Sequence, residues 1–197
     1  MADSLAPDAV KPLLRGRFGT EIYHYAKLSP STQRMLGEDE PEGTVAVAEE
    51  QSEGRGRLGR AWHAPAGTSL LFSVLLRPTI ESARLPELSL VAGGAVAEAI
   101  AEVAGVDPAI KFPNDVLIGG KKVAGILAES SDGRVVLGIG INVNQTLEQL
   151  PVQTETEPTS LQLVLGAPID RAPLLVAVLA RLERAYDAWV SGTSAAG

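Results

Sequence analysis

Three clusters in this 197-residue sequence have the residue types and spacing to do chemistry. The first is GRGRLGR at residues 54–60, where Arg55, Arg57 and Arg60 are interleaved with three glycines. Guanidiniums held close together repel, and glycine loses more conformational freedom on ordering than any other residue. The combination suits a loop that closes on an anion. Glycine lets backbone approach a ligand, and planar guanidiniums match carboxylate or phosphate bidentately. The same features predict a loop that is mobile when empty. The letters also satisfy the G-x-G-x-x-G dinucleotide fingerprint, but that motif needs a helix immediately after it to receive the pyrophosphate. Here AWHAPAGTS follows, with Pro65, Gly67 and no amphipathic period, and no Gly-Lys-Ser/Thr completes a P-loop. The plainer alternative is a solvated turn whose arginines pair with Glu49, Glu50 and Glu53.

The second cluster lies in KFPNDVLIGGKKVAG, residues 111–125. Asn114 and Asp115 begin a strand after Pro113, and Lys122 returns toward them across the Gly119-Gly120 hairpin signal. An aspartate near a lysine, beside an arginine loop, makes a place for a magnesium-bound polyphosphate. Alternatively, Pro-Asn-Asp is a capped turn, and Lys121 and Lys122 are ordinary edge-strand charges. Gly125 inside a strand points to close approach by a ligand or another backbone. The third cluster is GIGINVN, residues 138–144. Asn142 and Asn144 either read the polar edge of a ring or simply end the strand in an asparagine turn. His24 and His63 stand apart from any partner at metal-ligand spacing, and there is no cysteine to supply a thiolate, a nucleophile or a disulfide.

These clusters need a scaffold. EIYHYAKL (21–28), TVAVAEE (44–50) and SLLFSVLLR (69–77) read as strands, the last of them buried. DVLI (115–118), KVAGILAE (122–129) and RVVLGIG (134–140) read as three more, joined at Gly119-Gly120 and Asp132-Gly133. Ser29-Pro30 can start a short helix over STQRML. Leu88, Val91, Ala95, Ala99 and Val103 recur at helical spacing over 85–104. Asp170 can cap a final helix with Leu174, Val178, Leu182 and Trp189 on one face. Residues 142–160 read as polar loop. Hairpins mixed with helices indicate an α+β fold with a mixed, mostly antiparallel sheet flanked by helices. The expected organisation is an irregular leader over 1–20, one domain over 21–190 and a frayed tail over 191–197.

Composition narrows the class. Hydrophobic residues make up 45%, enough for a substantial core. The net charge of −7 argues against general nucleic-acid binding, so any bound anion needs a local site. No apolar run is long enough to span a bilayer and no secretory signal is recognisable, so a cytoplasmic protein with no membrane partner is expected.

AEEQSEGRGRLGRAW, KFPNDVLIGGKKVAGILAE and GIGINVN, in this order and at these separations, closely resemble the catalytic domain of biotin protein ligases, the biotin–[acetyl-CoA-carboxylase] ligases. The resemblance covers roughly residues 22–190. It implies the catalytic core shared with class II aminoacyl-tRNA synthetases, and an ATP- and magnesium-dependent reaction. Biotin is adenylated to biotinyl-5′-AMP with release of pyrophosphate, then transferred to a lysine of a biotin carboxyl carrier domain. By resemblance Arg55, Arg57 and Lys122 are catalytic, facing the biotin carboxylate and the α-phosphate. Ser31, Thr32, Gln51, Gly54 and Gly125 belong to the biotin site. Arg60, Trp62, Asn114 and Asn142 belong with the adenylate, Trp62 beside the adenine, and Asp115 would hold magnesium. The sequence departs from the family's Ser-Thr-Asn at Gln33 and from its Trp-Pro-Asn-Asp at Phe112. Neither the family's DNA-binding domain nor its small C-terminal β-barrel is expected in this sequence, so no repressor role is expected. A homodimer follows only by analogy. The competing readings are a lipoate- or octanoyl-transferring enzyme, which would lack the arginine loop, and a biotin-binding module with little turnover.

Overall fold

The computed structural model describes residues 3–152 and 154–192. Seven strands form one mixed sheet: β1 (Tyr23–Ala26), β2 (Val45–Ala48), β3 (Ser69–Leu76), β4 (Pro108–Lys111), β5 (Asp115–Ile118), β6 (Lys121–Ser131) and β7 (Arg134–Asn142). Their order is β1-β2-β3-β7-β6-β5-β4, with β1 and β2 parallel and every other pair antiparallel. The α+β class read from the sequence is the observed one. β4 and a short helix at Leu161–Leu165 are additions to the expected elements.

Strand alternation divides the sheet into two faces. Leu70, Phe72, Val74 and Leu76 of β3 and Val135, Leu137, Ile139 and Ile141 of β7 face the helical layer and are buried. That layer consists of α2 (Leu88–Ala104) and α4 (Arg171–Ser191), which pack on each other, with α1 (Pro7–Val10) and α3 (Leu161–Leu165) as short pieces around them. Full burial of each such side chain contributes about 1.5–3 kcal/mol. α2 stops where Gly105 takes a left-handed conformation. Asp170 sits at the N-cap of α4 in extended geometry, but its side chain makes no capping bond. The opposite face carries Leu71, Ser73, Gly138 and Gly140, and there the cleft opens.

Residues 3–20 are less irregular than their prolines suggest. They form a helical turn at Pro7–Val10 followed by a 3-10 turn at Lys11–Leu13, and Leu5, Val10 and Phe18 are fully buried in the main core. Arg171 at the start of α4 is 2% exposed and binds Asp3, Glu49 and the Ser69 carbonyl. Burial opposes its charge, yet Glu49 and Asp3 raise its pKa above the ordinary arginine value. This guanidinium ties the N-terminal segment to the ends of β2 and β3. The helix expected over STQRML is a 3-10 turn at Thr32–Met35, starting after Ser31 rather than at Ser29-Pro30. Of the tail expected over 191–197, Ser191 still belongs to α4 and Gly192 ends it in a left-handed conformation. Residues 193–197 lie outside the described residues.

Candidate active site

A cleft of about 770 Å³ lies on the open face of the sheet. Its floor is set by glycine. Gly125 of β6 pairs with Gly140 of β7, and Gly138 lies two residues along. A side chain at any of these would collide with a group already lying on the floor: a Cβ would meet the Trp62 ring at 2.6 Å from Gly140 and 2.9 Å from Gly125, and Gln33 Nε2 at 3.1 Å from Gly138.

One end of the cleft is neutral and polar. Gln51 Oε1 accepts from the Thr32 backbone N–H at 2.7 Å and from Thr32 Oγ1 at 3.2 Å. Thr32 Oγ1 in turn lies 2.8 Å from Ser73 Oγ. These bonds fix the Gln51 carboxamide, so its NH₂ is left to serve a ligand. Ser31, Thr32, Gln33 and Gln51 all line the cleft here. Asn142 at the end of β7 lines it too. Its Nδ2 donates to the Thr159 carbonyl at 3.0 Å and its Oδ1 accepts from Gln145 Nε2 at 2.9 Å. Because a carbonyl only accepts, the orientation of the Asn142 amide is determined. Asn144 does not line the cleft, since its amide is spent on both backbone groups of Ile169.

The other end is charged. The arginine loop leaves β2 and returns as an isolated bridge between Arg55 and Ala61. Gly54 stands at its base rather than in the cleft wall. Its carbonyl accepts from Trp62 N at 2.8 Å, and a Cβ there would strike the Trp62 carbonyl at 2.2 Å. Left-handed Leu58 and Gly59 turn the tip, in a 3-10 turn rather than the α-helix a dinucleotide motif requires. The arginines do not pair with Glu49, Glu50 or Glu53. Arg55 binds Glu129 at 3.0 Å, Arg57 donates to Asn114 Oδ1 at 3.1 Å, and Arg60 binds Glu155 at 2.8 Å. Their mutual repulsion is therefore relieved by three separate partners. Arg60, and behind it Lys111 and Lys122, holds the Glu155 carboxyl below the usual carboxylate range.

Lys122 Nζ lies 2.7 Å from Asp115 Oδ1 and faces the cleft, whereas Lys121 turns outward to Glu157 at 2.6 Å. Lys122 and Gly125 are three positions apart, so regular alternation would put them on opposite faces. A register shift between Val116 and Leu117 turns both the same way: Gly125 pairs with Asp115 and Lys122 with Leu117. Val123 and Ala124, between them, are both fully buried. Asn114 is clamped to β6, its Nδ2 donating to the Ile126 carbonyl at 2.9 Å.

Several wall residues are not among those singled out from the sequence. Lys111 lines the cleft and donates to Thr156 Oγ1 at 2.7 Å. It stands directly before Phe112, in the very stretch that flagged Asn114 and Asp115. Thr154, Glu155 and Thr156 come from the segment read as loop, which is laid against β6 by Lys122 N–H to the Glu157 carbonyl and Thr159 N–H to the Lys122 carbonyl, both 2.8 Å. His63 lines the cleft, while His24 sits elsewhere against Glu40 at 2.6 Å. Among the described residues no group of three or more His, Asp or Glu side chains could hold a metal ion by itself.

Residues 25–145 match the model of the biotin/lipoate A/B protein ligase family. The chain belongs to that family. It is 40% identical over 172 residues to the bifunctional ligase/repressor BirA of Bacillus subtilis, a match covering 84% of this chain and 53% of that one. It is 41% identical over 153 residues to the biotin–[acetyl-CoA-carboxylase] ligase of Mycobacterium tuberculosis, covering 75% of this chain and 56% of that one. Thus the chain spans about half the length of these curated relatives. Among solved structures, the Aquifex aeolicus biotin protein ligase in complex with biotin and ATP superposes with a TM-score of 0.79 at 37% identity, covering 88% of this chain and 73% of that one. The Leishmania major biotin protein ligase in complex with biotinyl-5-AMP gives 0.72 at 26% identity, covering 88% and 76%. No helix among the described residues is long and apolar enough to cross a membrane.

Proposed function

We propose that this chain is a biotin protein ligase catalytic unit that makes biotinyl-5′-AMP from biotin and ATP and passes the biotinyl group to a lysine of a biotin carboxyl carrier domain. The supporting observation is one cleft with a neutral hydrogen-bonding end at Thr32, Gln51 and Ser73 and a cationic end at Arg55, Arg57, Lys111 and Lys122. A ureido head and a carboxylate tail need those two ends in one groove.

In the first step a biotin carboxylate oxygen attacks the α-phosphorus of ATP and pyrophosphate leaves with the electron pair of the broken P–O bond. Two anions must meet, and negative charge grows on the phosphoryl oxygens and the leaving group. Arg55, Arg57 and Lys122 offset that charge from fixed positions, which stabilises the transition state more than the bound substrates. Trp62 offers its face to the adenine, and Asn142 keeps one amide hydrogen and one lone pair for the base edge. In the second step the amine of the acceptor lysine attacks the acyl carbon, AMP leaves and the amine gives up a proton. Arg55, Arg57 and Arg60 are held by Glu129, Asn114 and Glu155, and the nucleotide exchanges these partners for phosphate. A magnesium ion arriving with the triphosphate would take most of its ligands from phosphate oxygens and water, with Asp115 in the cleft wall as its protein carboxylate. Such an ion supplies charge neutralisation.

Biotin-dependent exchange of pyrophosphate into ATP tests the reading. Exchange with biotin is expected, with none for lipoate. Biotin binding without exchange would instead identify a binding module, and exchange with lipoate alone would identify the other branch of the family.

A further inference from the structure

The indole of Trp62 lies over the glycine floor of the cleft. Gly125 and Gly140 are cross-strand partners with no side chain on the cleft face, and the ring rests directly on both backbones. Lys122 Nζ stands 5.5 Å from the ring centroid, so the indole also reaches the ammonium at the charged end. Its Nε1–H is buried with no acceptor.

We propose that Trp62 is a resident occupant of the ligand seat: in the empty protein its indole holds the Gly125–Gly140 floor, and biotin must displace it to bind. The inference rests on the reading of the cleft as a biotin site. A bare apolar floor exposed to water is unfavourable, and an indole covers it well. The unmade N–H bond marks the arrangement as reversible, because leaving the floor lets the indole donate to water or to a ligand. The Trp62 backbone stays tied to the Gly54 carbonyl at 2.8 Å, so displacement moves a side chain and not a strand. The consequence is a weakened apparent affinity, since only the fraction of molecules with the floor vacant can accept biotin. Trp62 thereby sets biotin affinity from inside the site, in addition to any contact it makes with the nucleotide.

The chain has two tryptophans, Trp62 and Trp189, and Trp189 is buried in α4. The emission and acrylamide quenching of Trp62 are therefore readable in a Trp189→Phe protein. The spectrum of the parent minus that of Trp62→Phe provides the same signal in the unaltered fold. The expected result is a shielded indole in the empty protein, with a red shift and a severalfold rise in quenching at saturating biotin without ATP. Gly140→Ala should produce that shift with no ligand, because the new methyl takes the ring's place. Trp62→Ala should bind biotin more tightly than the parent. An unchanged signal when calorimetry shows biotin bound, an indole already exposed in the empty protein, or weaker biotin binding by Trp62→Ala would each overturn the proposal. Absence of calorimetric binding would refute the biotin reading itself, and the Gly140→Ala spectrum would still decide whether the indole holds the floor.

Discussion

The floor of the cleft and its rim are built on opposite principles. The floor is backbone: Gly125, Gly138 and Gly140 lie on strands paired along their length, and its shape follows from register and from the absence of side chains. The rim is side chain. Arg55–Glu129 and Arg60–Glu155 join partners that are each more than two-fifths exposed. Such pairs contribute about 0.2–1 kcal/mol each. On the proposed function, the surface that must fit a ligand's shape is thus rigid, and the charges that would change partners during the reaction are weakly held. Substitutions on the floor should act on binding, and substitutions on the rim should act on rate.

The largest effect is expected at Gly140→Val. The backbone there is ordinary strand and tolerates a β-branched residue, yet the side chain would occupy the seat. Biotin binding should vanish at concentrations that saturate the parent, with the thermal midpoint little changed. Retained binding by calorimetry would mean that the ligand does not lie on the floor.

Trp62→Ala comes next and works on both sides of the comparison. Loss of an aromatic face costs about 1–3 kcal/mol where a base stacks, so ATP should weaken by that amount while biotin does not. Calorimetric titration of each ligand checks it. Equal losses for both would make Trp62 a plain packing residue.

At the rim, Arg60→Ala should lower the melting temperature by little, because Arg60–Glu155 is one exposed pair. The loop it helps to hold should also be cut more slowly by trypsin when biotin and ATP are bound. Equal cleavage rates with and without the ligands would show that the loop does not close on them.

How much of this was legible in the sequence differs between the same two regions. Gly119-Gly120 and Asp132-Gly133 announce the hairpins, and the alternation of β3 and β7 announces a two-faced sheet. The strand Pro108–Lys111 carries no such signal, being four residues long, at the sheet edge and mostly exposed. Leu161–Leu165 is one capped turn of helix in a polar stretch, too short for a period to show. Within the site, Lys122 and Gly125 are visible as residue types, but their common face depends on a register shift that alternation alone would get wrong. The partners of the arginines lie 57 to 95 positions away in sequence, so only the fold could assign them. Lys111 stands in the same stretch of sequence, but the residues after it carry the stronger turn signal.

Single-turnover formation of biotinyl-5′-AMP by the parent protein and by Lys122→Met, with Lys121→Met as the control on the opposite face, is the most direct test. The parent should form the adenylate. Lys122→Met should slow it by about 10²–10³, the range for removing one preorganised charge donor, while biotin binding persists. Lys121→Met should be nearly silent, since that side chain turns to Glu157 outside the cleft. Running Lys111→Met alongside shows whether the second cleft lysine shares the task. No adenylate from the parent, or Lys121→Met slower than Lys122→Met, would contradict the account.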